Sequence, residues 1–346
     1  MKKLKWACIG VGKFSSLRGG VNAIAYAHAE ALKRNAAAFE LVAGASLEQQ
    51  NLDDFAREYP CRGYLDMKEL FARERPDGCT ISTWAPAREE HVLAAIDAGV
   101  KSILIEKPLA LTMDAADRMK AAADKAGARL FVNFQRRYGR PFELAKAAVQ
   151  GGRLGDIVSI DLAQPCANAL DFGPHFVNAA LFLLGNPAPK AVLAGAQGLA
   201  SVPWHGLKVE ARMTATVYLA DGVRLDYSAM PENSWDAPVI RVNGAKGFCE
   251  LWTNKPAGAK SVFRLVTAAG EENPELDENF HHGDADPYLY FERAYADLAH
   301  AITTGAPCRL DFADGYATQK ILLAMYDSAA RHELVALYPI GKGERS

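Results

Sequence analysis

With 346 residues, half of them hydrophobic, the chain is long enough for about two folded domains and has the balance of an ordinary globular protein. A formal net charge of -2, with no lysine or arginine run longer than a pair, leaves no electrostatic footprint for nucleic acid or an anionic membrane, so small molecules or like chains are the expected partners. Six cysteines without a Cys-x-x-Cys pair, no apolar run of the roughly 18 residues a membrane helix needs, and a short apolar stretch after Met1 to Lys5 that runs straight into Gly10 together predict a cytoplasmic protein with neither membrane span nor cleaved signal.

Residues 5 to 133 alternate short apolar runs with helical patterns. The predicted strands are Trp6 to Ile9, Leu41 to Ala45, Cys79 to Thr83, Ser102 to Ile105 and Arg129 to Val132. The predicted helices are Asn22 to Arg34, Leu47 to Glu58, Met67 to Glu74, Arg88 to Ala98 and Met113 to Ala126, with Ser46 and Thr112 as helix starts. Such alternation predicts a doubly wound parallel sheet of Rossmann type.

The first strand runs into Gly10-Val11-Gly12-Lys13-Phe14-Ser15, where two glycines would let the backbone approach a pyrophosphate at a helix amino terminus. Ser15 replaces the third glycine of the dinucleotide fingerprint, and Ser16 to Gly20 read as an inserted loop whose Arg18 either reaches phosphate or stays solvated. After the second strand, the acid that usually binds ribose hydroxyls is replaced by Ser46, followed by Leu47 and Glu48 rather than an arginine. The expected cofactor is NAD or NADP, and the missing carboxylate tilts the reading to NADP.

The run Ser102 to Ile105 stops at Glu106-Lys107-Pro108. At the carboxyl end of a buried parallel strand, where open α/β sheets hold ligands, a lysine beside a glutamate is a candidate proton-transfer group. Alone, the same pair reads as a solvated ion pair.

In the second half, Phe176 to Leu184 reads as a helix ending at Gly185, and Ala191 to Ala196, Val209 to Leu219, Val223 to Ala229, Val239 to Val242, Phe248 to Trp252 and Ser261 to Val266 as strands. Ala220-Asp221-Gly222 is a hairpin turn. This predicts an α+β domain with a large, mostly antiparallel, open-faced sheet, followed by helices from near Pro287 and over Asp314 to Arg331. The acidic loop Glu271 to Asp286 holds His281, His282, Asp284 and Asp286, but adjacent histidines diverge and no further ligands recur at zinc-like spacing, so no metal is expected; His282 or Tyr288 is read instead at a pocket edge or subunit contact. Trp204, His205 and Trp235 lie in loops, where they would stack on a sugar ring or serve packing.

The succession of Gly10-x-Gly12, Thr83 with His91, Glu106-Lys107-Pro108, Asn133-Phe134-Gln135-Arg136-Arg137-Tyr138, Gly152-Arg153-Leu154-Gly155-Asp156 and Asp171-Phe172-Gly173-Pro174-His175 resembles the Gfo/Idh/MocA oxidoreductases. These are relatives of glucose-fructose oxidoreductase and inositol 2-dehydrogenase. The resemblance implies a dinucleotide-binding domain over 1–134 and a substrate-binding and oligomerisation domain over 135–346, the final helix packing back on the first. It implies hydride transfer between the nicotinamide of NAD(P) and a hydroxyl or carbonyl carbon of a sugar, inositol or related polyol. Lys107, His175 and Asp171 would be catalytic. Gly10, Gly12, Lys13, Phe14, Ser15, Arg18, Ser46, Thr83, His91, Glu106, Lys107 and Pro108 would hold the cofactor, and Lys107, Arg137, Tyr138, Asp171 and His175 the substrate. A homodimer or homotetramer through the second sheet is implied as well.

Asp171 and His175, four apart, would share one helix face. Alone, Asp171 reads equally as a helix cap and His175 as a structural histidine. Two departures from the family pattern stand out. Asn178 occupies the place of a frequent second aspartate, and the stretch from Ile160 to Asp171 is short, implying a more open pocket or one completed by another segment or subunit. Two other activities fit the same resemblance: a redox-neutral glycoside-processing enzyme with tightly bound NAD, and a nucleotide-sensing regulatory protein, against which the intact Lys107, Asp171 and His175 count.

Overall fold

The computed structural model describes residues 2–12, 24–204 and 206–337. The chain divides into two compact units, one formed by Met1–Gln135 and Phe291–Tyr316, the other by Arg136–Tyr290 and Ala317–Ser346. The division assigns residues 291–316 to the first unit.

In chain order the first unit contains β1 (Leu4–Ile9), α1 (Ile24–Arg34), β2 (Phe39–Ala45), α2 (Gln49–Glu58), β3 (Arg62–Tyr64), α3 (Met67–Glu74), β4 (Gly78–Ile81), α4 (Ala85–Asp97), β5 (Ser102–Ile105), α5 (Met113–Ala126) and β6 (Arg129–Val132). The strands form one parallel sheet in the order β3-β2-β1-β4-β5-β6. This is the doubly wound order, with its switch point between β1 and β4. Every residue of β4 and β5 is buried, which is why those strands read as continuous apolar runs rather than alternating ones. Ile9, Ile81, Ile105, Val132 and Met119 from sheet and helix close the core beneath them.

Helix boundaries follow local chemistry. Thr112 accepts from the Ala115 amide at 3.2 Å to start α5, and Gly127 ends it with φ +61. Ser46 is not the cap expected: α2 begins at Gln49 with Glu48 preceding it, and the Ser46 hydroxyl accepts from the Glu48 amide at 3.4 Å. α4 starts three residues earlier than predicted, at Ala85, because Pro86 sits in the first turn, where no amide proton is needed. The predicted start of the first helix at Asn22 lies outside the described residues.

A 3-10 turn, Gln135–Tyr138, leads into α6 (Arg140–Gln150), β7 (Ile157–Gln164), α7 (Gly173–Leu184), β8 (Pro189–Gln197), β9 (Val202–Trp204), β10 (Leu207–Val209), β11 (Arg212–Leu219), β12 (Arg224–Ala229), β13 (Pro238–Gly244), β14 (Gly247–Trp252), β15 (Phe263–Thr267) and β16 (Gly270–Glu272). Then come α8 (Leu289–Thr304), α9 (Phe312–Arg331) and β17 (Val335–Ala336). The second sheet runs β16-β15-β14-β13-β7-β12-β11-β8-β17, and among the described pairs only β7 with β12 is parallel. β11 and β12 are joined through Gly222, at φ +84.

The single strand expected over Val209 to Leu219 is broken into β10 and β11. Between them Glu210 is fully buried, its carboxylate accepting from the Ala169 amide at 2.6 Å and from the Tyr326 hydroxyl. A buried carboxylate must be hydrogen-bonded, and those ties take precedence over a regular ladder.

Candidate active site

The cofactor side begins where β1 ends. Gly10 has φ +90, and a Cβ there would come within 2.8 Å of Thr83 Cγ2; at Gly12 it would meet Asn51 Nδ2 at 2.9 Å. Only glycine lets the backbone take this path, and a turn bare of side chains at the switch point is the cradle a dinucleotide requires. Asn51 also donates to Glu48 Oε2 at 3.2 Å, so a carboxylate stands beside this turn although β2 itself ends without one. Lys13, Phe14, Ser15 and Arg18 lie outside the described residues.

The loops after β4 and β5 are tied together. Thr83 Oγ1 and His91 Nδ1 are 2.8 Å apart, and the buried Arg88 donates to the Thr83 carbonyl at 2.6 Å and to the Pro108 carbonyl. Burial pulls the Arg88 guanidinium down to about 10, with the Glu106 charge opposing.

Glu106 is buried at the end of β5. Its Oε1 accepts from His28 Nε2 at 2.9 Å and from Asn133 Nδ2 at 2.6 Å, and its Oε2 from the Lys107 amide at 3.1 Å. Burial pushes this carboxyl upward; the hydrogen bond and charge of His28, then the Lys107 charge and Asn133, outweigh burial and hold it below the usual range. Behind His28 the network continues through Tyr295 (3.0 Å), Thr80 (2.7 Å) and Trp6 (2.8 Å). At the end of β6, Asn133 Oδ1 and Gln135 Oε1 are buried and meet no donor among the described residues. Orphaned acceptors at the carboxyl end of the sheet that also carries the glycine cradle fit a bound polar group such as a nucleotide cofactor.

In the second unit, His175 lies buried in the first turn of α7, its amide donating to the Phe172 carbonyl at 2.9 Å. Asp171 precedes the helix, and Phe172 occupies the cap position, so the expected shared helix face does not exist. Asp171 is presented instead by a turn: Asn168, at φ +71, accepts the Asp171 amide through both its carbonyl (3.2 Å) and its side chain (3.1 Å). Asn side chains favour this local closure over helix extension.

Arg137 and Tyr138 are both buried. Arg137 donates to Asn178 Oδ1 at 2.7 Å and to Asn186 Oδ1 at 3.4 Å and lies 5.1 Å over the Phe182 ring, joining the 3-10 turn to α7. Asn178 in turn donates to Thr318 at 3.0 Å. The preceding Arg136 takes another direction: it stacks 4.8 Å from the Phe280 ring and meets His281 Nδ1 at 2.9 Å. Among the described residues no metal-ligating cluster is found, and no helix is long and apolar enough to cross a membrane.

Family models match both units: an oxidoreductase family with NAD-binding Rossmann fold over residues 4–134, and the C-terminal α/β domain of the same family over 146–337. The chain is a member of the Gfo/Idh/MocA oxidoreductase family. Among its relatives in that family, an inositol 2-dehydrogenase/D-chiro-inositol 3-dehydrogenase of Halalkalibacterium halodurans is 29% identical over 42% of this chain and 42% of that one. Glucose-6-phosphate 3-dehydrogenase of Bacillus subtilis is 31% identical over 41% of this chain and 39% of that one. The matched stretches thus span less than half of these curated relatives. In overall fold the chain is similar to an oxidoreductase from Agrobacterium radiobacter solved with NAD+, L-tartaric acid and magnesium, with a TM-score of 0.78 at 19% identity and coverage of 97% of this chain and 98% of that one.

The sequence reading did not single out His28, Arg88, Asn133 or Arg136 as site residues. Asn133 and Arg136 stand in the quoted crossover block, but adjacent residues of a 3-10 turn point about 120° apart, and sequence does not tell which arginine of the pair is tied inward. His28 and Arg88 carry no motif signal, since their partners are distant in sequence or are backbone carbonyls.

Proposed function

We propose that the chain is an NAD-dependent dehydrogenase or reductase acting on a CH-OH or carbonyl carbon of a sugar, inositol or related polyhydroxylated substrate. The observation that carries this reading is the Glu106–Lys107 pair at the end of β5, held by His28 and Asn133 in the same sheet as the glycine cradle, in a chain of this family. The names of the curated relatives, an inositol and a sugar-phosphate dehydrogenase, support the substrate class.

The cofactor, when bound, supplies the hydride acceptor or donor. Loss of hydride from a carbinol carbon requires loss of a proton from its oxygen. We assign that proton exchange to His175. Lys107 hydrogen-bonds the reacting oxygen and stabilises the negative charge that develops on it, while Asp171 orients the substrate. Glu106, as a carboxylate, fixes the Lys107 backbone. Substituting Lys107→Ala or His175→Ala is expected to lower hydride transfer roughly a hundredfold or more.

We assign NAD rather than NADP on the strength of Glu48, whose carboxylate beside the glycine turn would accept ribose hydroxyls and repel a 2'-phosphate. Ser46 alone had tilted the reading the other way. NADH is expected to bind the native protein about tenfold or more tighter than NADPH, and Glu48→Gln to shrink that ratio. Equal affinities in the native protein would remove Glu48 from this role.

A further inference from the structure

Arg136 is 6% exposed, yet its Nε and Nη1 meet no acceptor among the described residues. Among the described residues the guanidinium's hydrogen-bond partner is His281 Nδ1, at 2.9 Å. A guanidinium only donates, so Nδ1 accepts and neutral His281 carries its proton on Nε2. The result is a buried corner in which two guanidinium nitrogens stay unmet while His281 fixes the plane of the group from Nη2. The corner is built rather than loose. Phe280 stacks on the guanidinium and itself packs on Phe142 at 5.2 Å and on Phe176, the residue after His175, at 5.6 Å. The loop that carries Phe280 and His281 is pinned where Tyr290 donates to the Asn279 carbonyl at 2.6 Å, and the Asn279 side chain accepts the His281 amide at 2.8 Å.

A buried cation without an anionic partner is costly, and both members of this pair register the cost. Burial pulls Arg136 down to about 9. His281 is lowered to about 3, by burial first and then by the Arg136 and His282 charges, so it stays neutral and offers no compensating charge.

We propose that Arg136, held in orientation by His281, forms a carboxylate-binding subsite, making the substrate a polyhydroxy acid of the uronate or aldonate kind rather than a neutral polyol. The inference rests on the hydride-transfer reading for the rest of the substrate, but the subsite stands on its own geometry. A single cation beside a neutral His281 balances the single charge of a carboxylate; a phosphate dianion would call for a second cation.

The test uses matched pairs, glucuronate with glucose and galacturonate with galactose, and glucose 6-phosphate as a further arm, added to the full chain with NAD. Thermal stabilisation reads binding, and NADH formation reads turnover. The acids are expected to stabilise the native protein at tenfold or more lower concentration than their neutral twins, the size of one charge-assisted hydrogen bond. In Arg136→Gln, that ratio is expected to fall to near one. Acid binding without NADH would uphold the subsite and sink the hydride-transfer reading. NADH from neutral sugars with no acid preference would do the reverse. Absence of acid preference in the native protein, stronger stabilisation by the phosphate ester, or an unchanged ratio in Arg136→Gln would each overturn the proposal, and the native contrast decides even if the variant does not fold.

Discussion

Because the ionised carboxylate of Glu106 can only accept, the 2.9 Å contact places the proton of His28 on Nε2. The line continues from His28 Nδ1 to the Tyr295 hydroxyl and on to Thr80, which accepts from Trp6 Nε1. Its other end is the residue that holds the Lys107 backbone. Replacing His28 by Ala strips the largest stabilising partner from a buried carboxylate, so the Glu106 pKa is expected to rise. The sign follows: a carboxyl held low in the fold adds stability above its unfolded pKa and loses it as the pH falls through the folded one. His28→Ala is therefore expected to cost about 1–3 kcal/mol near neutral pH, and the penalty should shrink toward acid. Tyr295→Phe, which leaves the His28–Glu106 bond in place, should cost less. Urea unfolding at several pH values checks this, and a pH-independent penalty would contradict it. Lys107 was legible in the sequence because an acid, a base and a proline end an apolar run. His28 was not, because it lies 78 residues from Glu106 and 267 from Tyr295, separations that only the folded chain closes.

Among the elements, the parallel strands were the most readable, since burial on both faces makes them uninterrupted apolar runs. β3, at three residues, is too short to carry a period, and the split of the Val209 to Leu219 run depends on Glu210 reaching Ala169, 41 residues away in sequence. The Asp171 to His175 spacing predicted a shared helix face. The Asn168 turn and Phe172 at the cap position instead leave Asp171 outside α7, a choice of local hydrogen bonds that spacing alone does not reveal. The glycine turn after β1 gives the prediction at this scale. Gly10→Ala must accept φ +90 and a Cβ 2.8 Å from Thr83 Cγ2, a strain of about 1–3 kcal/mol that is relieved by moving the turn. NADH titration should find affinity lowered about tenfold or more, while far-ultraviolet circular dichroism stays native-like. Unchanged affinity would mean that this turn does not hold the cofactor.

For the molecule as a whole, near-neutral charge pointed to small-molecule partners, and the alternation of strands and helices, followed by long strands, predicted both units. Family membership then supports the proposed class of chemistry, while the proposed substrate rests on side chains such as Arg136 whose environment composes itself from distant loops. The central claim, that this chain carries out net hydride transfer using Lys107 and His175, is tested most directly by mixing the native protein with NAD and a panel of sugars, inositols and sugar acids. The absorbance of reduced nicotinamide is followed, with Lys107→Ala and His175→Ala alongside. NADH is expected to form in step with substrate oxidation, at a rate lowered roughly a hundredfold or more in both variants. Product without net NADH, nucleotide binding without any turnover, or near-native rates in either variant would contradict it.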